Sequence, residues 1–151
     1  MTSEYFVVRG TVEPGDKRGR ELGFPTANIA LSDQAGSLGD GVWAGWIGRA
    51  DGSRLPAAIS VGRRPTYYGA DGYRLLEAHV LDFSGDLYGE TLVVWLGSHL
   101  RNQEKYASAE DLITALKKDI AAAAQWTAEN PAASLPEPGE SGLGEVRRVT
   151  G

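Results

Sequence analysis

Cysteine is absent from this 151-residue chain, and histidine occurs only twice, as His79 and His99. Without thiolates the chain has no disulfide framework and no cysteine-bound zinc site, which suits a protein of a reducing compartment. Two histidines supply few ligands for a metal site, and a Ser-His-Asp triad stays open although no nucleophile-elbow GxSxG motif is present. These shortages argue against metal chemistry of the histidine and cysteine kind.

Long apolar runs and an excess of positive charge are missing as well. No segment approaches the roughly 18 apolar residues of a membrane-spanning helix, and Met1 is followed by Thr-Ser-Glu instead of a basic leader. Fifteen Lys and Arg face twenty Asp and Glu, giving a net charge of −5, whereas binding to bulk nucleic acid needs the opposite balance. We therefore expect a cytoplasmic protein with no membrane and no nucleic-acid partner.

Glycine, by contrast, is abundant. The chain has 20 glycines, roughly twice the average usage, and many lie between apolar runs as turn residues do. Runs of aromatic and β-branched residues predict strands at residues 5–12, 42–48, 55–61, 75–83 and 91–96. Short strands at this spacing are typical of a barrel or a sandwich, within one domain at residues 1–129.

One helix is predicted after these strands. Ser108 can cap it, with Asp111 three residues later completing a weak capping box. An apolar stripe then recurs at every fourth residue: Leu112, Leu116, Ile120 and Ala124. This stripe predicts a helix that packs on one side of the barrel.

The tail, residues 130–151, has a different composition. It carries three prolines and several Gly, Ser and Glu residues, so it can bury little apolar surface. We expect this tail to be flexible, with a short docked piece around residues 146–149.

The segment at residues 15–23 combines glycine with charged side chains. Glycines stand at every fourth position, and Asp16, Lys17, Arg18 and Arg20 lie between them. Inward-turned backbone N–H groups and cationic side chains could together hold an anion. Neither a Walker A loop nor a dinucleotide fingerprint is present. From the residues alone, a phosphate-binding loop and a solvated turn both stay open.

The run Phe24-Pro25-Thr26-Ala27-Asn28 follows this loop directly. Pro25 favours extended backbone, so Thr26 and Asn28 are expected to share one face. Their neutral oxygens beside a phosphate loop would suit Mg²⁺, which prefers oxygen ligands and keeps substrate phosphates in its shell. The alternative is that both side chains bond only nearby backbone.

Glu77 and His79 also share one strand face, between apolar neighbours. A carboxylate on a partly buried face is costly unless it is paired or functional, so Glu77 is either a base near a hydroxyl substrate or part of a structural pair. Farther along, Arg101 and Tyr106 could contact a planar ligand or could be ordinary loop residues.

Taken together, these segments resemble the riboflavin kinase (flavokinase) family, in the form of the kinase module of bacterial bifunctional FAD synthetases. The Pro-Thr-Ala-Asn run in its glycine-rich context and the Glu77 segment are the most specific parts. The similar segments follow the family's order over roughly residues 4–125, at residues 15–29, 60–67, 76–83, 86–90 and 100–112.

The resemblance implies a mainly β fold, a six-stranded Greek-key barrel with a C-terminal helix packed beside it. It also implies an enzyme that uses ATP to phosphorylate the 5′-hydroxyl of riboflavin, giving FMN and ADP. The implied metal is Mg²⁺, with Zn²⁺ or Mn²⁺ as alternatives.

The resemblance also implies roles for individual residues. Thr26 and Asn28 would hold the metal, and Glu77 would be the catalytic base. The implied ATP and phosphate contacts are Gly15, Asp16, Lys17, Gly19, Arg20, Gly23, Pro25 and His79. The implied flavin contacts are Arg101, Glu104, Tyr106 and Leu112.

This sequence departs from the family's usual pattern near the flavin. Gln103 occupies a place where the family commonly has Glu, and Tyr106 replaces Phe. No adenylyltransferase histidine motif is present, so we expect no FAD formation by this chain and a separate or excised adenylyltransferase partner. The competing interpretations are a non-catalytic flavin- or nucleotide-binding barrel and, disfavoured by the charge, a small barrel that binds single-stranded nucleic acid.

Overall fold

A computed structural model describes residues 4–14, 26–32, 38–64, 73–140 and 142–150 of the chain. Within these ranges the fold is mainly β, as predicted, with seven strands and one long helix. The strands are β1 (Glu4–Thr11), β2 (Ala27–Ala30), β3 (Gly41–Gly48), β4 (Arg54–Arg64), β5 (Tyr73–Val80), β6 (Thr91–Arg101) and β7 (Val146–Thr150). Helix α1 spans Ala109–Glu129, and a short 3-10 turn follows at Ala132–Ser134.

The strands form one antiparallel sheet in the order β2-β5-β4-β3-β6-β1-β7. Strands β3, β4 and β5 are neighbours in sequence and in space, and β6 returns to lie beside β3, which is the order of a Greek key. The chain after β1 crosses to the opposite edge, where Glu13 N donates to Asn28 O at 2.8 Å. This bridge joins the end of β1 to β2 and curls the sheet toward a barrel.

Alternation along the strands decides which side chains enter the core. On β4, Ile59 and Val61 are fully buried inside the curled sheet, while Ala58 and Ser60 point to the other face. On β5, Leu76 and Ala78 likewise point inward, so Glu77 points outward. The outer face is therefore where polar side chains of neighbouring strands meet.

Helix α1 packs on this same outer face, where Ala123 forms a cluster with Ala44 and Ala58. Its predicted start is confirmed, since Ser108 Oγ accepts a hydrogen bond from Asp111 N at 3.1 Å. The predicted stripe is wrong at Ala124, which is exposed. The fully buried helix residues, Asp119, Ala123 and Thr127, recur at the same spacing but lie one position before Ile120 and Ala124 or three after them, so the buried face is offset by about 100° from the predicted stripe. No helix among the described residues is long and apolar enough to span a membrane.

The tail contributes strand β7, which pairs with Glu4–Val8 of β1 in the region where a docked piece was expected. Ahead of β7, the indole N–H of Trp46 donates to Asn130 O at 2.9 Å and that of Trp95 donates to Pro136 O at 3.0 Å. The tail thus runs across the outer side of β3, β6 and β1. The flexibility predicted for residues 130–151 stays a prediction.

Candidate active site

The centre of the site is a row of three side chains on neighbouring strands. Asn28 on β2 lies directly opposite Glu77 on β5, and Glu77 lies directly opposite Ser60 on β4. Directly opposed residues of antiparallel strands share a face, with Cβ atoms about 4.5–5.5 Å apart. The sheet register therefore brings a predicted metal ligand and the predicted base side by side on the outer face.

Asn28 is only 6% exposed, although an amide is costly to bury without partners. Its Nδ2 lies 3.5 Å from Thr26 O, a long hydrogen bond that leaves the amide oxygen as an acceptor. Thr26 itself is half-buried just before β2. A hydroxyl and an amide oxygen beside a carboxylate form a donor set that fits Mg²⁺, with substrate phosphates completing the shell. The described residues hold no cluster of three or more His, Asp and Glu side chains that could bind a metal alone.

Glu77 is half-buried in the middle of β5 and flanked by strands on both sides, so its backbone position is fixed. His79 follows two residues later on the same face, directly opposite Ala58, close to where helix α1 packs. The predicted nucleotide contact and the predicted base therefore lie on one strand face, in line with the sequence pattern.

Arg101, a predicted flavin contact, is engaged by the helix. Its Nε and Nη2 atoms each donate to a carboxylate oxygen of Asp119 at 2.8 Å. The hydrogen bonds to Asp119 raise the pKa of Arg101, against the opposing effect of burial. Asp119 is 5% exposed, and sequence reasoning missed it because a helical Asp is normally assigned to the solvent side.

Gln103 is the second residue that sequence reasoning did not place. Its Nε2 donates to Ser60 Oγ at 2.7 Å and to Val61 O at 2.9 Å. These two bonds fasten the loop between β6 and α1 to strand β4, next to Glu77. A Glu at this position could not donate either bond, so the departure noted in the sequence was the available signal.

The other predicted flavin contacts lie around this loop. Tyr106 is half-buried, and the Arg101 guanidinium carbon lies 5.8 Å from its ring centroid. Leu112 is half-buried in the first turn of α1, and Glu104 is exposed. Burial raises the pKa of Tyr106, the Arg101 charge opposes this, and Glu104 adds to the rise through its charge and a side-chain hydrogen bond.

The remaining predicted site residues lie outside the described part of the chain. They belong to the glycine-rich segment and the residues that follow it: Gly15, Asp16, Lys17, Gly19, Arg20, Gly23 and Pro25. The described ends of the gap, at residues 14 and 26, lie near the bridge between Glu13 and Asn28.

Comparison with known proteins identifies the family. The model of the family described as "Flavokinase: Riboflavin kinase" matches residues 2–127. The chain belongs to the riboflavin kinase family. This confirms the resemblance drawn from the sequence motifs, and it accounts for the β fold with one helix packed beside it.

Relatives of this chain occur in bacteria and in an animal. The chain is 42% identical over 118 residues to a bifunctional riboflavin kinase/FMN adenylyltransferase of Pseudomonas fluorescens, covering 78% of this chain and 37% of that protein. It is 33% identical to the riboflavin kinase of Mus musculus, covering 80% of this chain and 79% of that protein. The chain thus spans just over a third of the bifunctional relative.

Two solved structures share the fold. A Streptococcus pneumoniae protein described as a macrolide-efflux protein has a TM-score of 0.69 and 34% identity, covering 80% of this chain and 38% of that one. Riboflavin kinase from Trypanosoma brucei has a TM-score of 0.61 and 23% identity, covering 85% of this chain and 82% of that one. At 23% sequence identity, the similarity to the Trypanosoma brucei structure shows a shared fold only.

Proposed function

We propose that this chain transfers a phosphoryl group from ATP to the 5′-hydroxyl of riboflavin, giving FMN and ADP. Membership of the riboflavin kinase family supports the reaction class. The observation that carries the proposal is the register of β2 and β5, which pairs Asn28 with Glu77. A metal ligand and a base side by side are what a hydroxyl attacking a phosphate requires.

Glu77 is proposed to accept the proton of the attacking hydroxyl. Its place between β2 and β4 fixes the backbone from which the carboxylate extends, which favours catalysis because phosphoryl transfer depends chiefly on positioning and charge stabilisation. A base in this role typically contributes about 10²–10⁴-fold to the rate.

Thr26 and Asn28 are proposed to hold the divalent cation, Mg²⁺ in preference to Zn²⁺ or Mn²⁺. Bound there, the cation would supply positive charge to the phosphate oxygens. Because both ligands are neutral, they leave that charge undiminished toward the nucleotide. The contribution of the two side chains is to fix the nucleotide phosphates beside Glu77.

The nucleotide is proposed to lie over the glycine-rich segment at residues 15–23 and toward His79. The support comes from the glycines and cations of the sequence and from the tether that Glu13 makes to Asn28. Arg20 is the proposed cationic contact to the phosphates. This arrangement would bring the γ-phosphate to the same side of β2 and β5 as the base.

The isoalloxazine ring is proposed to rest against the loop after β6 and the first turn of α1. Gln103 supports this assignment because it fastens the loop to the strand next to Glu77. The Arg101–Asp119 pair holds the end of β6, where the same loop begins, against α1. Together these bonds form a preorganised wall at a fixed distance from the base.

The family match is to riboflavin kinase alone, so we assign FMN adenylylation to a separate module or protein. The cysteine-free composition supports the cytoplasm as the compartment in which ATP and riboflavin are met.

The proposal is tested by incubating the protein with riboflavin, ATP and Mg²⁺ and separating the flavins by chromatography. We expect FMN and equimolar ADP, with no FAD, and no FMN when the divalent cation is removed by a chelator. Riboflavin binding without FMN at any divalent cation would favour the non-catalytic binding barrel instead. Absence of both flavin and ATP binding would contradict the proposal entirely.

A further inference from the structure

The strand that carries the proposed metal ligand Asn28 is short and lies at a seam of the curled sheet. Strand β2 has four residues, and among the described strands it forms a ladder with β5 alone. On its other side it meets β1 by packing, since a Cβ at Gly10 would overlap the side chain of Ile29. One end of this seam is closed by Glu13 N, which donates to Asn28 O. The other end needs a partner from elsewhere in the chain.

Gly144 of the tail closes that other end. Its N–H donates to Arg9 O on β1 at 2.7 Å, and its carbonyl accepts from Ser32 N at 2.9 Å. The preceding amide, Leu31 N, donates in the other direction to Arg74 O on β5 at 3.1 Å. The two bonds of Gly144 therefore form a clasp that joins β1 to the end of β2, while β5 holds the same end from the opposite side.

The geometry of the clasp requires glycine at this position. Gly144 is buried and has a φ of +78°, which favours a residue without a Cβ. An added Cβ would lie 2.9 Å from Ala30 O and 3.2 Å from Ser32 N, and these backbone atoms can yield only if β2 shifts. The turn around Gly144 is closed by Glu145, whose Oε2 accepts from Gly142 N at 2.9 Å. The clasp is thus part of a preformed turn that fits the end of β2.

The place of β2 matters for a bound cation. Mg²⁺ demands near-ideal octahedral geometry with ligands at about 2.0–2.1 Å, so a ligand has to be held within about 0.5 Å of its productive position. Asn28 lies between the Glu13 bond and the clasp, and its side chain is 6% exposed, so it has little room to compensate for a shift of its backbone. Without the clasp one end of a four-residue strand is released, and strand ends fray at little cost in free energy.

We infer that Gly144 is a positioning residue, which sets the place of Asn28 through β2 and thereby the affinity for the divalent cation with its nucleotide. This inference rests on the proposed function, in which Thr26 and Asn28 hold the cation. Coupling of this kind is reciprocal, so binding of the cation and nucleotide must favour the clasped tail by the factor by which the clasp favours binding. The clasp bonds do not involve Glu77, so turnover should persist once saturating ATP and Mg²⁺ hold β2 in place.

The test is Gly144→Ala, with the binding of ADP to the full chain measured by titration calorimetry in Mg²⁺. We expect the Kd for ADP to rise about 2- to 12-fold, the range of one neutral hydrogen bond, with the Kd for riboflavin unchanged. With Mg²⁺ removed by a chelator, wild type and variant should bind ADP equally. The KM for ATP in Mg²⁺ should rise by the same factor as the Kd, with kcat retained.

Hydrogen exchange tests the reciprocal effect without any turnover. In wild type, Mg²⁺ and ADP together should slow the exchange of the Ser32 and Gly144 amides, the two donors of the clasp, by the same 2- to 12-fold. ADP without Mg²⁺ should leave their exchange unchanged. Exchange of these amides that ignores Mg²⁺ and ADP would contradict the coupling.

Gly139→Ala is the matched control, since Gly139 also lies in the tail and has a φ of +71°. A Cβ there would meet the guanidinium of Arg147, the flexible end of a side chain, and would leave β2 in place. Both substitutions should lower the Tm, but Gly139→Ala should keep the wild-type affinity for ADP in Mg²⁺. If Gly144→Ala does not fold, Glu145→Ala takes its place, because it removes an acceptor of the turn without adding an atom at the seam.

Equal affinity for ADP in Mg²⁺ in wild type and Gly144→Ala, with a lower Tm, would overturn the inference and leave the kinase assignment intact. So would equal losses of ADP and riboflavin affinity, which would mean a general loss of structure. A loss of ADP affinity that persists without Mg²⁺ would also contradict it. Failure of wild type to bind ADP in Mg²⁺ or to bind riboflavin would instead refute the proposed function.

Discussion

At the scale of single residues, long-range polar pairs fix the site more than local motifs do. The Arg101–Asp119 pair ties β6 to α1, and the Gln103 amide ties the intervening loop to β4. Neither pair could be predicted from the sequence, because the partners of each are far apart along the chain and Asp119 resembles an ordinary solvent-exposed helix residue. The Ser108 cap could be predicted because cap and recipient lie three residues apart.

Replacing Asp119 by Ala should lower the free energy of unfolding by about 2–3 kcal/mol, because it leaves the half-buried Arg101 charge without its carboxylate. Urea unfolding at neutral pH measures the change. Glu4→Gln is the control, since Glu4 and Arg148 lie 4.0 Å apart with both side chains about 60% exposed, and such surface pairs contribute little. Equal small effects of the two substitutions would mean that the Arg101–Asp119 pair does not stabilise the fold.

At the scale of secondary structure elements, the aromatic and β-branched runs and the turn residues between them predicted where the strands lie. The pairing of β2, β5 and β4 then placed the site residues side by side. β4 and β6 are each 11 residues long and extend beyond the predicted segments, because Arg63, Leu100 and other residues of mixed polarity continue the ladder. The predicted helix stripe followed the large apolar residues, whereas the fully buried face is offset by one residue onto Asp119, Ala123 and Thr127. Which sheet face the helix covers depends on the small residues Ala44, Ala58 and Gly97, whose role only the packed structure reveals.

Gly97→Ala should destabilise the packing of α1 on β6. A Cβ at this position would overlap the Trp126 ring, and such overpacking typically costs about 1–3 kcal/mol. Thermal unfolding followed by tryptophan fluorescence, to which Trp126 is one of four contributors, measures the loss. Gly39→Ala is the control, because a Cβ there would meet nothing within 4 Å. A Tm of Gly97→Ala equal to that of Gly39→Ala would contradict this packing.

At the scale of the whole molecule, the tail connects two parts of the curled sheet, β1 and the segment after β2. Gly144 N donates to Arg9 O at 2.7 Å, and Gly144 O accepts from Ser32 N at 2.9 Å, so one tail residue bridges β1 to the segment after β2. The tail composition predicted little burial. It did not reveal that the indole N–H groups of Trp46 and Trp95 would find carbonyl partners there. The family match ends at residue 127, ahead of these contacts.

Deleting residues 131–151 should lower the Tm and promote self-association. The deletion uncovers the edge of β1 and removes the partner of the Trp95 indole, and an uncovered edge strand pairs readily with another chain. Riboflavin phosphorylation at low temperature should persist, because the tail contacts given above are made by Arg9, Ser32, Trp46 and Trp95, which are not among the proposed site residues. Size-exclusion chromatography and thermal unfolding test this. A monomeric truncation with an unchanged Tm would refute a structural role for the tail.

The central claim is that Glu77, paired with Asn28 across β2 and β5, is the base of a riboflavin kinase. The most direct measurement is the initial rate of FMN formation by wild type, Glu77→Gln and the control Glu129→Gln, whose carboxylate is exposed at the far end of α1. We predict that Glu77→Gln lowers kcat by about 10²–10⁴-fold with ATP affinity nearly intact, and that Glu129→Gln matches wild type. Turnover by Glu77→Gln at the wild-type rate would contradict the account.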